Sequence, residues 1–552
     1  MSSAVIETPV LIAGAGPVGL ALACELGWRG VPCLVIDQGD GSVVFPAGEA
    51  IFVRTMEHLR RWGIADRIHE SGFPQHYQRN VVFCTRLMGY RLARFERDSA
   101  ISARAKSGQH SPEAAAYCPK VWFDPMLRDH LRSYPHVQLE YGWRLESFEQ
   151  GPEGVVAQVT EIATDRRITV RSRYLAACDG AKSSVRRALG IEFEGTFAEG
   201  HNLGIYLRAK DLLTRQPHGT ASQFLTMSTR RRSSLTTVNG KDLWRLSLYV
   251  RPGEADTLDP AECVRDAFGD DLEVEIIRAQ PWSGHRVVAR SYRDKRVFLV
   301  GDAAHMLWPK GGFGANTGIG DAVDLGWKLD AVLSGWGGER LLESYEAERR
   351  PIGVRNVEEA ASNRAADGDL PSDPLLEAPG PEGDAARKRV GDTILATRWK
   401  EWNTLGVQLG YRYANSPVIV PDGTPQPPDV PSEYVPSTWP GCRAPHAWLS
   451  PGRSTLDLFG RGFVLLRFGT ARGTALASAA QRAGLPLETV DIADASIAAL
   501  YAAPLVLVRP DGHVAWRGSD EPGLSDSVIA QVTGTREIAA GSRQPQAQLQ
   551  GV

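Results

Sequence analysis

Residues 8–37 read TPVLIAGAGPVGLALACELGWRGVPCLVID, and this stretch decides the fold of the first part of the chain. Its first six residues are mostly apolar and predict a buried strand. The glycine-rich turn Gly14 to Gly19 follows, and a helix is predicted over Pro17 to Trp28. A second buried strand, Val31 to Ile36, ends on Asp37. We therefore predict a β-turn-α-β unit of the Rossmann type.

The glycines of this unit form a G-x-G-x-x-G pattern at the point where strand gives way to helix. Gly14 permits the tight turn, Gly16 lets the backbone approach a pyrophosphate, and Gly19 lets helix and strand pack closely. The helix N-terminus favours phosphate charge, and Asp37 can bind ribose hydroxyls. The unit therefore predicts a dinucleotide site. A purely structural glycine turn is the alternative.

Composition excludes several classes of protein. The chain has 552 residues, of which 43% are hydrophobic and 23% charged, so it is long enough for about three or four globular domains. Lys and Arg number 62 against 65 Asp and Glu, a net charge of -3. This balance favours neither nucleic acid nor a membrane surface as a partner. The longest mostly apolar stretch, about Ile497 to Val508, is too short to span a membrane.

The cysteines predict buried, reduced thiols, so we expect a cytoplasmic protein. Their number is odd and none forms a C-x-x-C pair; they are Cys24, Cys33, Cys84, Cys118, Cys178, Cys263 and Cys442. No H-E-x-x-H motif or Cys/His cluster is present, so no metal site is expected. The N-terminus lacks a basic segment, which makes a signal peptide unexpected.

Two further segments follow predicted strands and carry polar residues where helices begin. The first is Cys178 to Arg186, which contains Asp179-Gly180. The second is Gly301 to Gly318, which begins with Gly301-Asp302. Several β-rich runs between Leu203 and Gln280 predict a second, largely antiparallel sheet. The residues after about 441 predict a small α/β domain.

With these three motifs in order, the chain resembles the class A, single-component flavin-dependent aromatic hydroxylases. Gly406–Tyr413 and Leu505–Arg517 are similar to the phenol and 2,4-dichlorophenol hydroxylase group. The resemblance implies an α/β fold (α+β overall) with a Rossmann-like FAD-binding domain, an inserted antiparallel-sheet substrate domain and a C-terminal thioredoxin-like domain. The expected boundaries are 1–80, 105–188 and 290–360 for the FAD-binding domain, 81–104 and 189–289 for the substrate domain, 361–440 for a helix and linker region, 441–540 for the thioredoxin-like domain, and 541–552 for a disordered tail.

The resemblance also assigns site residues. The ADP half of FAD would contact Gly14, Gly16, Gly19, Asp37 and Gln38; the flavin half would contact Arg54, Lys120, Asp302, Pro309, Gly314, Ala315 and Asn316. Asp179 and Arg186 would serve both FAD and NAD(P)H, with a helix cap and a surface arginine as the alternative reading. Gln38 and Lys120 depart from the family pattern, which usually has Arg and Gln there. His305 is expected to pack or hydrogen-bond rather than act as a base.

The implied reaction uses NADPH or NADH and O2 and proceeds through a C4a-hydroperoxyflavin to hydroxylate a phenolic ring at the ortho carbon. Glu49, in the turn that precedes Arg54, would accept the phenolic proton; a solvated surface carboxylate is the alternative. Two other functions stay open, a flavin-dependent halogenase and a non-catalytic flavin-binding redox module. No W-x-W-x-I-P segment, the halogenase signature, is present.

Four aromatic residues of the second sheet are candidate substrate contacts or ordinary core, namely Tyr206, Phe224, Tyr249 and Trp282. The expected partners are a small aromatic substrate, O2, NAD(P)H and further copies of the chain in a homo-oligomer. The C-terminal domain is expected to have no redox activity, because Cys442 is the only cysteine after residue 263. The exact substrate and the choice between NADH and NADPH are left open.

Overall fold

The computed structural model describes residues 4–228, 230–519 and 522–535. The strands β1 to β24 span, in chain order, Ala4–Ala13, Cys33–Asp37, Ala50–Ile51, Val81–Cys84, Arg91–Phe95, Ala116–Tyr117, Val137–Tyr141, Trp143–Gln150, Val155–Glu161, Arg166–Ala177, Phe193–Arg208, Gln223–Met227, Arg232–Thr237, Leu243–Val250, Glu275–Ala289, Arg293–Asp294, Val297–Leu299, His305–Met306, Trp448–Ser450, Arg453–Ser454, Phe463–Phe468, Leu487–Ile492, Leu505–Val508 and Val514–Gly518. The helices α1 to α15 span Pro17–Arg29, Val53–Trp62, Ala65–His69, Ala100–Ala105, Lys120–Leu131, Ser184–Ala188, Leu212–Arg215, Pro260–Phe268, Phe313–Leu333, Glu339–Gly368, Pro381–Thr397, Leu405–Leu409, Thr474–Arg482, Ala495–Tyr501 and Pro522–Val532.

The first sheet has the strand order β16-β17-β10-β1-β2-β7, with β8 and β9 continuing from β10. Strands β1, β2, β7, β10 and β17 pair in parallel, as βαβ connections require. The central parts of four of these strands are buried, namely residues 10–13, 33–36, 174–177 and 297–299. Helix α1 contacts β1 and β2 and packs in turn on α9. The predicted β-turn-α-β unit is β1, α1 and β2, which confirms the Rossmann-like part of the fold.

The second sheet has the order β18-β15-β11-β14-β13-β12-β4-β5 and is largely antiparallel. Alternate residues face opposite sides of this sheet, because strand side chains alternate with period two. Leu203, Ile205 and Leu207 of β11 are buried in a core that includes α8. The opposite face carries the polar and half-buried residues of the same strands and faces the first domain. The expected antiparallel substrate-domain sheet is therefore present.

Helix α9 starts at Phe313, although Gly314 lies in its first turn and Gly318 and Gly320 follow. Phe313 is buried and Asn316 makes side-chain hydrogen bonds, so tertiary contacts overcome the weak helix propensity of glycine. Within the expected helix and linker region at 361–440, helix α11 begins at Pro381, since proline suits a first helical position.

The C-terminal unit contains a four-stranded mixed sheet of order β22-β21-β23-β24. β21 is parallel to β22 and antiparallel to β23, and α13, α14 and α15 pack around the sheet. This is the expected thioredoxin-like architecture. Cys442 is buried, and burial raises the pKa of its thiol to about 11. The expected lack of redox activity stays a prediction. The expected tail at 541–552 lies outside the described residues.

Candidate functional site

The glycine loop between β1 and α1 combines two tight contacts with one open position. A Cβ on Gly14, whose φ is +107°, would lie 2.3 Å from the Cys178 carbonyl oxygen. A Cβ on Gly19 would lie 1.9 Å from the Gly14 carbonyl oxygen. No atom lies within 4 Å of a Cβ placed on Gly16. Gly14 and Gly19 are thus required by packing, whereas Gly16 borders free space at the N-terminus of α1.

Asp37, the last residue of β2, is hydrogen-bonded to this loop. One carboxylate oxygen of Asp37 accepts a hydrogen bond from the Ala15 N–H at 2.7 Å, and the other accepts one from the Gly39 N–H at 2.7 Å. Asp37 therefore lies directly beside the loop, as the spacing predicts. Gln38 is next to it and exposed.

The third motif places Asp302 beside the same loop. A Cβ on Gly301 would contact Val18 of α1 at 3.0 Å, so the start of this motif packs on the first turn of α1. Asp302 is exposed, and it makes no hydrogen bond to any described residue. Surrounding protein nevertheless raises the pKa of Asp302 by desolvation, against the positive charges of His305, His285 and Lys120. The Asp302 carboxylate therefore has no hydrogen-bond partner among the described residues and is available to a ligand.

Helix α9 begins close to this acid without a side-chain cap. Its N-cap residue Gly312 has φ of +79°, and a Cβ on Gly314 would meet nothing within 4 Å. The Asn316 amide is hydrogen-bonded to protein groups through both its oxygen and its nitrogen. It accepts hydrogen bonds from the Phe52 N–H and the Thr55 hydroxyl and donates to the Ala50 and Gly312 carbonyls. Asn316 therefore fixes the helix start, which leaves the first N–H groups available to a ligand.

We call the open space beside Gly16, Asp302 and Gly314 the cleft. Several other predicted cofactor residues lie around it. Lys120 pairs with Asp124 through its ammonium group, and its charge reaches Asp302. Pro309 and Ala315 are exposed and half-buried, respectively.

The Asp179 segment behaves in part as a helix cap. One Asp179 carboxylate oxygen accepts hydrogen bonds from the Ser184 and Val185 N–H groups, while the other oxygen is buried without a partner. Arg186 donates to the Ile191 carbonyl at 2.6 Å, and its guanidinium stacks 4.1 Å from the Phe193 ring centroid. Both side chains therefore have local structural roles, and their expected nicotinamide contact stays a prediction.

Arg54 lies where the first domain contacts the C-terminal unit, and it lines a cavity of about 370 Å³. It donates to the Glu57 carboxylate at 2.8 Å and to the Asp511 carbonyl at 2.5 Å, and it approaches the Tyr411 hydroxyl at 3.4 Å. These neighbours raise the pKa of Arg54 although burial opposes the charge. The structure thus gives Arg54 a place in the contact with the C-terminal unit, and its expected flavin contact stays a prediction.

Glu49 forms an ion pair that the sequence analysis did not anticipate. Both of its carboxylate oxygens lie 3.2 Å from one guanidinium nitrogen of Arg245, a residue of β14. The two side chains are 25% and 20% exposed, so solvent reaches the pair. A cavity of about 180 Å³ beside them is lined by the turn around Glu49 and by Thr236, Thr237 and Val238.

Arg245 could have been found by the alternation of β14. Arg245, Ser247 and Tyr249 are half-buried, while Leu246 and Leu248 between them are buried. A strand with this pattern presents its polar residues to a partly open face, so Arg245 was a recognisable candidate. Its position opposite Glu49 depends on pairing of distant segments, which the pattern does not show.

The alternation of strand residues between the two faces of the sheet also divides the four aromatic candidates into two groups. Tyr206, Tyr249 and Trp282 are half-buried and lie on the face directed to the first domain. Phe224 lies in the opposite row with Leu235, Leu246 and Ile205, and it is fully buried. The alternative reading of Phe224 as ordinary core is therefore correct for that residue.

Within the described residues there is no group of three potential metal ligands. No described helix is both long and apolar enough to cross a bilayer.

Residues 7–360 match the FAD binding domain family, and residues 437–535 match the aromatic-ring hydroxylase C-terminal family. The chain belongs to the FAD-dependent aromatic hydroxylases of class A. Its cofactor is accordingly FAD, and its activity class is that of an aromatic monooxygenase.

Three similar proteins cover nearly the whole aromatic hydroxylase chain. The rebeccamycin biosynthetic enzyme RebC, solved with reduced flavin, is 40% identical over 97% of this chain and 100% of its own, with a TM-score of 0.91. Tetracenomycin B2 monooxygenase-dioxygenase of Streptomyces olivaceus is 34% identical over 96% of this chain and 99% of its own. The 4-methyl-5-nitrocatechol 5-monooxygenase of a Burkholderia species is 33% identical, with coverages of 95% and 97%.

Proposed function

We propose that this hydroxylase uses NAD(P)H and O2 to hydroxylate a phenolic aromatic substrate at a carbon ortho to the hydroxyl. The observation that carries the proposal is the Glu49–Arg245 pair, which lies on the face of the second sheet directed toward the FAD-binding domain. A relative of the same family is named for its action on a nitrocatechol, which is itself a phenol.

We assign the binding of FAD to three features of the cleft. The open space at Gly16 admits the pyrophosphate to the N-terminus of α1, where the helix dipole favours its charge. Asp302, which lacks a protein partner, accepts hydrogen bonds from ribityl hydroxyls. The uncapped N–H groups of Gly314 and Ala315 stabilise negative charge on the flavin ring. Bound and reduced FAD supplies the activation of O2.

The Glu49–Arg245 pair is suited to prepare a phenol for attack. A carboxylic acid and a phenol differ by nearly six pKa units, so unaided proton transfer to Glu49 is uphill by about 8 kcal/mol. The Arg245 guanidinium favours the phenolate, because an adjacent positive charge lowers the pKa of the hydroxyl. Glu49 then accepts the proton at a carboxylate oxygen, directly or through water. The negative charge gained by the ring makes its ortho carbon more nucleophilic.

The proposed reaction is tested with the purified full-length protein and a panel of phenols. Acid extraction should release FAD. Oxidation of NADPH and NADH is followed separately with each phenol, and product mass and hydrogen peroxide are measured in parallel. A phenol that raises the oxidation rate and gains one oxygen atom supports the proposal. If FAD-loaded protein produces only peroxide with every phenol of the panel, the phenolic assignment fails.

Replacement of Glu49 tests its role as the base. Glu49→Gln keeps the shape of the side chain and removes its basic carboxylate. We expect hydroxylation to fall by about 10²-fold and peroxide formation to rise, with FAD content unchanged. Glu96→Gln, which alters an exposed ion pair with Arg94, is the matched control and should leave all three quantities unchanged. Normal coupled hydroxylation in Glu49→Gln would return Glu49 to a surface role.

A further inference from the structure

The cavity of about 370 Å³ beside Arg54 lies where α2, α9 and α10 meet the segment 407–411. It shares no lining residue with the cleft, so it is a separate space. Its wall contains Arg54 and His58 of α2 and Arg349 of α10, and none of its lining residues is Asp or Glu. The wall therefore carries positive charge without a carboxylate of its own.

The two arginines of the wall keep N–H groups that the described protein does not use. Arg54 donates one hydrogen bond from each of its three nitrogens, and so does Arg349. Because a guanidinium has five N–H groups, two remain on each. The guanidinium groups border the cavity. Arg54 Nε lies 3.4 Å from the Tyr411 hydroxyl, and Arg349 Nη2 would lie 2.8 Å from a Cβ on Gly320, and both neighbours are lining residues.

His58 adds a donor that has no protein partner. It is 3% exposed, and its ring makes no hydrogen bond to any residue that the structure describes. Burial and the positive charges of Arg54 and Arg61 hold the pKa of His58 well below its usual value. The ring is therefore neutral and offers one N–H. Since buried polar groups nearly always have a partner, the free ring indicates a ligand in the cavity.

The charges around Arg54 do not balance. Arg54 and Arg443 both pair with Glu57, at 2.8 and 3.0 Å, and all three side chains are buried. In the part of the chain that the structure describes, Glu57 is the one carboxylate within 4.0 Å of either arginine. The nearby Asp511 carboxylate is paired with Arg509. One positive charge is thus left over, and a buried charge is costly without compensation.

From these observations we propose that the cavity binds one small monovalent inorganic anion of the size of chloride. The free N–H groups of Arg54, Arg349 and His58 donate hydrogen bonds to it. Its single negative charge matches the one positive charge left over, which favours a halide over phosphate or sulfate. Because the wall joins three helices to the segment before the C-terminal unit, the anion stabilises the contact of that unit with the FAD-binding unit.

The test follows thermal unfolding of the FAD-loaded full chain while sodium chloride replaces sodium gluconate at constant ionic strength. We expect the unfolding midpoint to rise with chloride in a saturable way, by about 2–4 °C. His58→Leu removes the free N–H and should raise the half-saturating chloride concentration about 10-fold. His58→Asn restores a donor and should recover part of the chloride response.

The matched control is His76→Leu, which changes an exposed histidine and should respond to chloride as the natural protein does. Crystals soaked in sodium bromide locate the anion directly, because bromide scatters anomalously. We expect a bromide peak in the cavity, beside Arg54, Arg349 and His58. If His58→Leu does not fold, the position of this peak decides.

Three results would overturn the inference. They are a natural protein without a saturable chloride response, equal half-saturating concentrations in the natural protein and His58→Leu, and bromide bound only outside the cavity. The inference goes beyond the proposed function and does not rest on it. Because no substrate is present in these measurements, none of the three results bears on the hydroxylation of phenols.

Discussion

The polar groups in the two halves of helix α9 have opposite environments. At the N-terminal end no side chain caps the helix, Gly314 borders free space, and nearby Asp302 makes no hydrogen bond to a described residue. In the second half, Asp324 and Lys328 are completely buried and paired with each other at 2.7 Å. The polar groups at one end of α9 are therefore available to a ligand, whereas those at the other end bind other groups of the protein.

The buried half is part of a network that joins two domains. Lys328 also contacts Glu348 of α10 at 2.6 Å, and Glu348 and Asp324 both contact Arg509. Arg509 in turn pairs with Asp511 at 2.7 Å. All of these side chains are essentially inaccessible, so each charge depends on the others for compensation. The comparison teaches that stability and ligand affinity should respond separately to substitutions at the two ends.

The largest effect is expected at the closed end. Arg509→Ala leaves the Glu348 and Asp511 carboxylates without their common cation, which should lower the free energy of unfolding by about 3–5 kcal/mol. Urea denaturation of the FAD-free protein measures this loss. Arg467→Ala, which removes an exposed pair with Asp491 in the same C-terminal unit, should cost less than about 1 kcal/mol. Similar losses in both variants would contradict the importance of the network.

The glycine loop allows the comparison to be repeated with one substitution at two positions. Gly14→Ala places a methyl group against the Cys178 carbonyl and should destabilise the fold by at least about 2 kcal/mol. Gly16→Ala meets no protein atom, so stability should stay within about 0.5 kcal/mol while FAD binding weakens about 10-fold. Denaturation and flavin fluorescence titration measure the two quantities. Unchanged FAD affinity in Gly16→Ala would place the pyrophosphate elsewhere.

At the N-terminal end of α9, Asp302→Ala should lower the affinity for FAD without lowering the stability of the fold. Loss of a charged acceptor should weaken FAD binding by about 1.5–3 kcal/mol, or about 10–150-fold. The FAD-free protein should lose no stability, because Asp302 has no protein partner and its raised pKa shows that its charge is not favoured there. Asp392→Ala, on the exposed surface of α11, is the control for both measurements. A large drop in stability would make Asp302 a structural residue.

The smallest expected effect is a difference in pH dependence. Burial, Glu348 and Asp511 raise the pKa of Asp324 to about 8, against Lys328 and Arg509. The unfolded value is about 3.9, so the stability linked to this proton is full below about pH 4 and lost as pH rises to about 8.

Asp324→Asn keeps residue 324 neutral at every pH. It therefore tests whether the stability linked to the Asp324 proton falls as pH rises. Between pH 6 and 8 its unfolding free energy should rise relative to that of the natural protein, by at most about 1.4 kcal/mol per pH unit. The pKa of Glu348, lowered to about 2, keeps that group ionised throughout this range. Urea midpoints at pH 6, 7 and 8 measure the difference. Parallel pH profiles would show that Asp324 does not hold the proton.

Much of the fold could be predicted because its decisive signals are local. The strand, glycine turn and helix of residues 8–37 follow one another without interruption, so their pattern determines the unit. Asp37 and Asp302 could also be placed, since Asp37 ends one buried strand, Asp302 lies three residues after another, and both strands belong to the same sheet.

The remaining features depend on contacts between distant residues. Arg245 meets Glu49 across 196 positions, and Arg509 meets Asp324 across 185, separations that no motif spans. Arg54 could be matched to a family position, but its direction is set by Asp511 and Tyr411, both more than 350 residues away. A sequence pattern predicts a local element well and the partner of a buried charge poorly.

The hairpin turn around Asp511 has a consequence for how the protein is made. Arg54 and Glu57 in α2 find their partners at Asp511 and Arg443, near the opposite end of the chain. During synthesis at about 5–20 residues per second, these early side chains precede their partners by about 20–90 s. The contacts of α2 with the C-terminal unit therefore form only after translation of most of the chain, and until then Arg54 and Glu57 have only each other as ion-pair partners among these residues.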